Sequence, residues 1–207
     1  MKPTILLAAI CFLTASSCGN DATTKSEGVD TIATAAPALS AEEQMIQDAF
    51  PNLYMQLKTQ DPAFNPAFFQ ESEGGYGTPP PPRFFPPEEL EPFRPYLVYS
   101  NDSTKAIDIV SYNYIIDKSA GRPVLEPAGP DTEVGIINLR NNMRTRIFYS
   151  GPGTIIREGK WLDSATVLLG GAENVSSTAI RPFLLRVDLK DKSLQRFTYT
   201  DSVKARL

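Results

Sequence analysis

Two hydrophobic periods divide the chain beyond residue 40. Met45, Ile46, Ala49, Phe50, Leu53 and Leu57 recur at the three- and four-residue spacing that places them on one face of a helix. Ser40 followed by Glu43 is a capping-box pair, which starts that helix at residue 41. Pro51 falls inside the stripe, where it either kinks one helix or starts a second at its first turn, since proline is tolerated there. The pattern therefore predicts one helix over 41–49 and a second over 51–58. From residue 96 the period changes to strand-like runs at 96–100, 105–116, 133–139, 144–149, 155–162, 165–171, 182–189 and 194–200. These are rich in Val, Ile, Tyr, Phe and Thr and are punctuated by Asn, Asp, Gly and Pro, so they read as strands. Leu139–Met143 and Leu189–Ser193 read as hairpin turns between them.

The stretch joining the two patterns has neither period. Asp61-Pro62-Ala63-Phe64 is written almost again as Asn65-Pro66-Ala67-Phe68, and Asx-Pro favours turn initiation. Two tight turns presenting two phenylalanines are expected there. Residues 71–95 hold Gly74, Gly75 and Gly77, the run Pro79–Pro82, and then Pro86, Pro87, Pro92 and Pro95. Polyproline II is the natural backbone for such a composition. A strap pinned by Phe84, Phe85 and Phe93, or a linker, is expected ahead of a proline-rich ligand for an aromatic groove.

The strand region repeats itself. Residues 133–150 lie over 182–200 at an offset of 50, which puts Ile137 on Val187, Leu139 on Leu189, Arg146 on Arg196 and Tyr149 on Tyr199. Upstream, Asp102-Ser103 falls on Asp163-Ser164 at an offset of 61, the difference being assigned to a Pro/Gly-rich insertion at 118–131. A strand ending near an aromatic, an Asp-Ser turn, a core strand and a V-D-L-K-D-K hairpin together resemble one blade of a β-propeller. Two blades do not close a propeller, so the resemblance implies the blade motif alone. The expected fold is mainly β, with two repeated four-stranded antiparallel meanders stacked as a sandwich or partly open barrel. A short helical and Pro-rich segment precedes them.

The first eighteen residues carry an address. Lys2 precedes an unbroken apolar run from Ile5 to Leu13, of signal-peptide length and too short to span a bilayer. Ala15-Ser16-Ser17-Cys18 resembles the lipobox of bacterial lipoproteins, with Ala15 where that pattern usually has Leu. The resemblance implies that Cys18 is lipidated and becomes the first residue of the mature chain. An ordinary secretory signal would leave Cys18 a free thiol, and a buried N-terminal helix is the remaining alternative. Acyl chains contribute about 0.8 kcal/mol per buried CH₂, so several on one cysteine hold a domain at a membrane. The division expected is signal peptide 1–17, flexible tether 18–40, helix plus Pro-rich strap 41–95 and antiparallel β domain 96–207.

Composition narrows the chemistry. The chain has 207 residues, two cysteines (Cys11 in the signal and Cys18) and no histidine. No disulfide framework is therefore expected, and the commonest general base and metal ligand is missing. Residues 41–95 carry nine Asp and Glu against three Lys and Arg, a net −6. Residues 96–207 carry fifteen Lys and Arg against twelve Asp and Glu, a net +3, too weak to argue for nucleic acid. Glu126, Asp131 and Glu133 flank the insertion and are candidates for glycosidase work or Ca²⁺, although a solvated loop is the plainer reading. Asp188 and Asp191 read as turn residues. Arg140, Arg144 and Arg146 share one hairpin and read as a solvated face or a charge-protected edge before an anion site. Gly151-Pro152-Gly153 and Gly170-Gly171 read as turns or bulges, and Trp161 with the tyrosines as packing.

The expectation is a lipid-anchored envelope protein, with the outer membrane first in line, facing the periplasm or the cell exterior. Its role is expected to be non-enzymatic binding, scaffolding or inhibition of an envelope protein or glycan, with no cofactor, metal or nucleic acid. A carboxylate-dependent glycan hydrolase and a structural envelope spacer are the alternatives.

Overall fold

The computed structural model describes residues 41–72, 74, 78–119 and 121–204. The expected signal segment 1–17, the tether 18–40, Cys18 and the Ser40 cap lie outside them. The described part is mainly β, with antiparallel sheets and a few short helices. Helices α1 (Ala41–Ala49) and α2 (Pro51–Gln60) fall where the stripe places them. The strands of the N-terminal half are β1 (Phe69–Ser72), β2 (Arg83–Phe84), β3 (Val98–Tyr99), β4 (Lys105–Asp108), β5 (Tyr114–Asp117) and β6 (Val124–Pro127). Then come β7 (Thr132–Asn138), β8 (Met143–Ser150), β9 (Thr154–Trp161), β10 (Thr166–Ser176), β11 (Ala179–Asp188), β12 (Ser193–Tyr199) and β13 (Val203–Lys204). Helix α3 (Pro87–Leu90) continues into a 3₁₀ turn at Glu91–Tyr96.

One sheet runs β1-β12-β11-β10-β9, with β13 also pairing β11; a second runs β2-β8-β7-β4-β3. The hairpin β5–β6 forms a small sheet of its own. Apolar side chains from both large sheets meet in one core, where Ile107, Val134 and Ile136 pack with Val167, Leu169, Phe183 and Leu185. Alternate residues on the outer faces are buried too. Leu168 and Leu184 of the first sheet lie under Phe50, Leu53, Leu57 and Phe64. Ala106 and Ile137 of the second lie under Phe85, Leu90 and Leu97. Burial on both faces explains why β10 and β11 read as continuous apolar runs instead of alternating ones.

The helices are fixed to the first sheet by their ends. Phe50, wholly buried between α1 and α2, supplies no side-chain cap. The carboxylate of Glu158 on β9 accepts from the Leu53 N–H at 2.9 Å, satisfying an amide of the first turn of α2. Lys160, two residues on, donates to the Asp48 carbonyl near the end of α1 at 3.1 Å. A Cβ on Gly170 would stand 2.8 Å from Leu53 Cδ2, so this glycine lets α2 approach the sheet.

Three expectations are corrected. The run 105–116 is not one strand, because the Asp108 carboxylate accepts from the amides of Val110 (3.1 Å) and Ser111 (2.8 Å) and turns the chain. The insertion after Asp117 is not a loop throughout, since β6 returns along β5. The strap is pinned by Phe85 and partly by Phe93, while Phe84 is exposed, and its flanks are drawn into the sheets as β1 on β12 and β2 on β8. The paired Asx-Pro turns form as expected, with Asp61 accepting from Ala63 N–H and Asn65 from Ala67 N–H, each at 2.9 Å. Only the first phenylalanine is presented inward, for Phe64 is fully buried and Phe68 half exposed.

Candidate functional site

The outer face of the second sheet hides a charge cluster. Arg144 on β8 pairs across to Ile137 on β7, and its side chain then runs over Gly135. A Cβ at Gly135 would stand 2.5 Å from Arg144 Cζ, so only glycine leaves room for the guanidinium. Beyond Gly135, Nε of Arg144 donates to Asp108 Oδ2 at 2.6 Å and Nη1 donates to Glu133 Oε1. Glu133 also holds Arg146 Nε at 2.6 Å. Asp108, Glu133 and Arg144 are all buried, Arg146 partly. Burial pushes the Asp108 carboxyl up, but the Arg144 charge and the Ser111 donors outweigh it and hold the group below the usual carboxylate range. Asn113 ties the turn after β4 to the cluster, giving Nδ2–H to the Glu133 carbonyl (3.0 Å) and taking the Glu133 N–H (2.8 Å).

The proline run borders this cluster. β2 pairs antiparallel with β8, Arg83 opposite Arg144, so residues before Arg83 continue along the outer edge of β8. A cleft lies on either side of that run. The larger, about 650 Å³, is walled by Pro79–Pro82 and by Leu189 and Lys192 of the turn after β11; Ile136, Met143, Thr145 and Ile147 line it from β7 and β8. Lys105, Asn138 and Asn141 supply polar groups to it. The smaller, about 220 Å³, is lined by Pro80 and Pro81 together with Arg83, Arg144, Arg146, Glu133 and Tyr112. The alternation of β8 divides its side chains between the two, Met143 and Thr145 to one, Arg144 and Arg146 to the other.

Of the residues singled out from sequence, Arg144, Arg146 and Glu133 come together, and Arg140 does not join them in any ion pair among the described residues. The solvated reading of Glu133 and Arg144 is corrected: both lie inside the fold because each neutralises the other. Glu126 is exposed on β6, and Asp131 accepts from the Tyr149 hydroxyl at 2.8 Å. That bond is the main reason the Tyr149 phenol lies above its ordinary pKa. Asp188 accepts from the amides of Lys190 and Asp191 at 2.8 and 2.9 Å, a turn role. Gly170-Gly171 is a bulge against β9, and Trp161 is buried with its indole N–H on the Val98 carbonyl at 2.9 Å. Asp108, Arg83 and Tyr112 were missed as site residues. An Asp within an apolar strand, facing a Gly in the next, is the signal for the first, but it needs the strand register to be read.

Among the described residues no group of three or more potential ligands could hold a metal ion, and no helix is long and apolar enough to cross a membrane. Comparison with family models, curated proteins and solved structures finds no match to this chain.

Proposed function

We propose that this is a lipid-anchored envelope protein, held at a membrane through Cys18, whose β domain binds another envelope protein or a glycan without chemical turnover. The observation that carries the binding role is the cleft of about 650 Å³ between the proline run and the second sheet, with apolar walls and amide and ammonium groups at Asn138, Asn141, Lys105 and Lys192. Such a mixture suits a partner recognised by shape with a few hydrogen bonds. The hydrolase alternative is weaker because Glu133 is engaged by two arginines and Asp131 lines a different cleft from it. The anchor rests on the lipobox-like Ala15–Cys18 and the apolar run before it, and residues 18–40 would serve as spacer. The outer membrane is the expected site.

The same proposal takes the two large sheets as two copies of one four-stranded meander, β3-β4-β7-β8 and β9-β10-β11-β12, packed as a sandwich. Equivalent bonds at the offsets of the sequence repeat support it. The Leu139 amide donates to the Thr104 carbonyl (2.9 Å), as Leu189 does to Ala165 (2.8 Å). Asn138 and Asp188 each accept from the amide two residues on. Asn142 and Lys192 both have positive φ, 54° and 51°.

The test is affinity capture from detergent-solubilised envelope with the wild type, Met143→Glu and Cys18→Ser. A partner retained by the wild type and lost on Met143→Glu supports the cleft. Identical captured sets would sink it. Cys18→Ser should leave the membrane fraction, and its continued sedimentation with membrane would dispose of the lipid anchor.

A further inference from the structure

We infer that the smaller cleft is a binding site for one compact oxyanion, a carboxylate or a phosphate. Three guanidinium groups, Arg83, Arg144 and Arg146, meet one lining carboxylate, Glu133, beside the walls formed by Pro80 and Pro81. Asp108, behind Arg144, balances one of those charges and Glu133 a second. Arg83 makes no ion pair among the described residues and stands directly across from Arg144 in the β2–β8 pairing. Its guanidinium lies over the ring of Phe85, 5.4 Å from the centroid, which holds the group in place and leaves its charge without an anionic partner among the described residues. An anion between Arg83 and Arg144 would supply that partner.

The second observation is independent of the charge count. Arg144 is 3% exposed and spends Nε and Nη1 on the two carboxylates, while Nη2 is buried with no hydrogen-bond partner among the described residues. Buried donors are ordinarily satisfied, and a guanidinium nitrogen most readily by an oxyanion that can accept from two N–H groups. Both carboxylates fix the rest of the fork, so Nη2 is held ready instead of swinging to find a partner. The volume, about 220 Å³, admits the anion with a few attached heavy atoms. Tyr112, 38% exposed, supplies a face against which those atoms rest. The site lies across the proline run from the larger cleft and does not depend on what that cleft binds.

The experiment titrates sodium acetate and, separately, inorganic phosphate into the full chain in detergent. Ionic strength is held constant with sodium chloride, and the arginine Nε–H signals are followed by NMR. Saturable shifts at Arg83 and Arg144 are expected with at least one of the two anions, at concentrations on the order of 1 mM. Which anion responds separates a carboxylate source from a phosphate source. Arg83→Gln, an exposed change outside the buried cluster, should weaken that anion about tenfold, as loss of one charge-assisted hydrogen bond does. Its thermal midpoint should stay at the wild-type value. Non-saturating shifts with both anions, or undiminished binding by Arg83→Gln, would overturn the site, and neither result touches the capture experiment on the larger cleft.

Discussion

Replacing Arg144 by Met keeps an unbranched stem in the core and removes the cation that faces Asp108. The loss falls mostly on Asp108, which is 0% exposed, because Glu133 keeps Arg146 at 2.6 Å. Asp108 retains the amides of Val110 and Ser111 and the Ser111 hydroxyl as donors, but no countercharge. Breaking one side of a buried pair costs about 3–5 kcal/mol, and these surviving donors place the variant near the lower end, at about 3 kcal/mol. With a urea slope of about 2 kcal/mol/M, the unfolding midpoint should fall by about 1.5 M. The single tryptophan, Trp161, is buried and reports the transition by fluorescence. The pH dependence tests the cause. In the wild type Asp108 titrates below its unfolded value, so its contribution is fully present above that value and is lost as pH falls through the folded one. In Arg144→Met burial acts without the opposing charge and lifts the carboxyl above its unfolded value, about 3.9. The deficit is then largest at neutral pH and shrinks on acidification, since a protonated Asp108 needs no cation. A loss under about 1 kcal/mol, or a gap that does not narrow between about pH 7 and about pH 4.5, would refute the electrostatic account.

Gly135→Ala should destabilise by about 2–3 kcal/mol, because its Cβ meets a guanidinium that two carboxylates hold in place; in urea, combined with Arg144→Met, it should cost less than the sum of the two. At Lys192, whose φ is 51°, thermal unfolding should rank Gly at or above Lys, and Val about 1 kcal/mol below it. Asp102 is held down to about 2 by the Ser100 hydroxyl first and then by the Thr104 N–H and hydroxyl. Its NMR titration should centre near that value, with its contribution to stability present above the unfolded pKa and lost as pH falls through about 2, and Ser100→Ala should move the midpoint toward 3.8.

The helices and most of the strands were legible because period and punctuation are local properties. Met45 to Leu57 specify a helical face whatever covers it, and Pro51 marks either a kink or a first turn, of which the structure has the first turn of α2. The charge cluster was not legible, because its logic is non-local. Asp108, Glu133 and Arg144 lie on three different strands; Glu133 and Arg144 each read alone as solvated, and Asp108 only as part of one long strand. The register makes them one object, since it sets Asp108 beside Gly135 and Ile137 beside Arg144. Asp108 also ends β4 by capping the turn after it, so the residue that anchors the cluster is the one that breaks the predicted 105–116 strand.

The proline run shows how one local constraint settles a distant geometry. A proline has no N–H to give to a ladder, so four in succession cannot lie within a sheet and can border one only beyond its last hydrogen-bonded pair. β2 accordingly stops at Arg83 and Phe84, and Pro79–Pro82 follow the outer side of β8 without extending the ladder. The same inability protects an edge that another chain would otherwise pair with. It also leaves space beside the alternating side chains of β8. Thr145 and Ile147 face that space on one side, Arg144 and Arg146 on the other. A strand that extended the ladder through residues 79–82 would bring its own side chains over both positions at normal strand spacing. The two candidate sites therefore share one cause, and the composition that reads as a strap in the sequence accounts for the clefts on both of its sides.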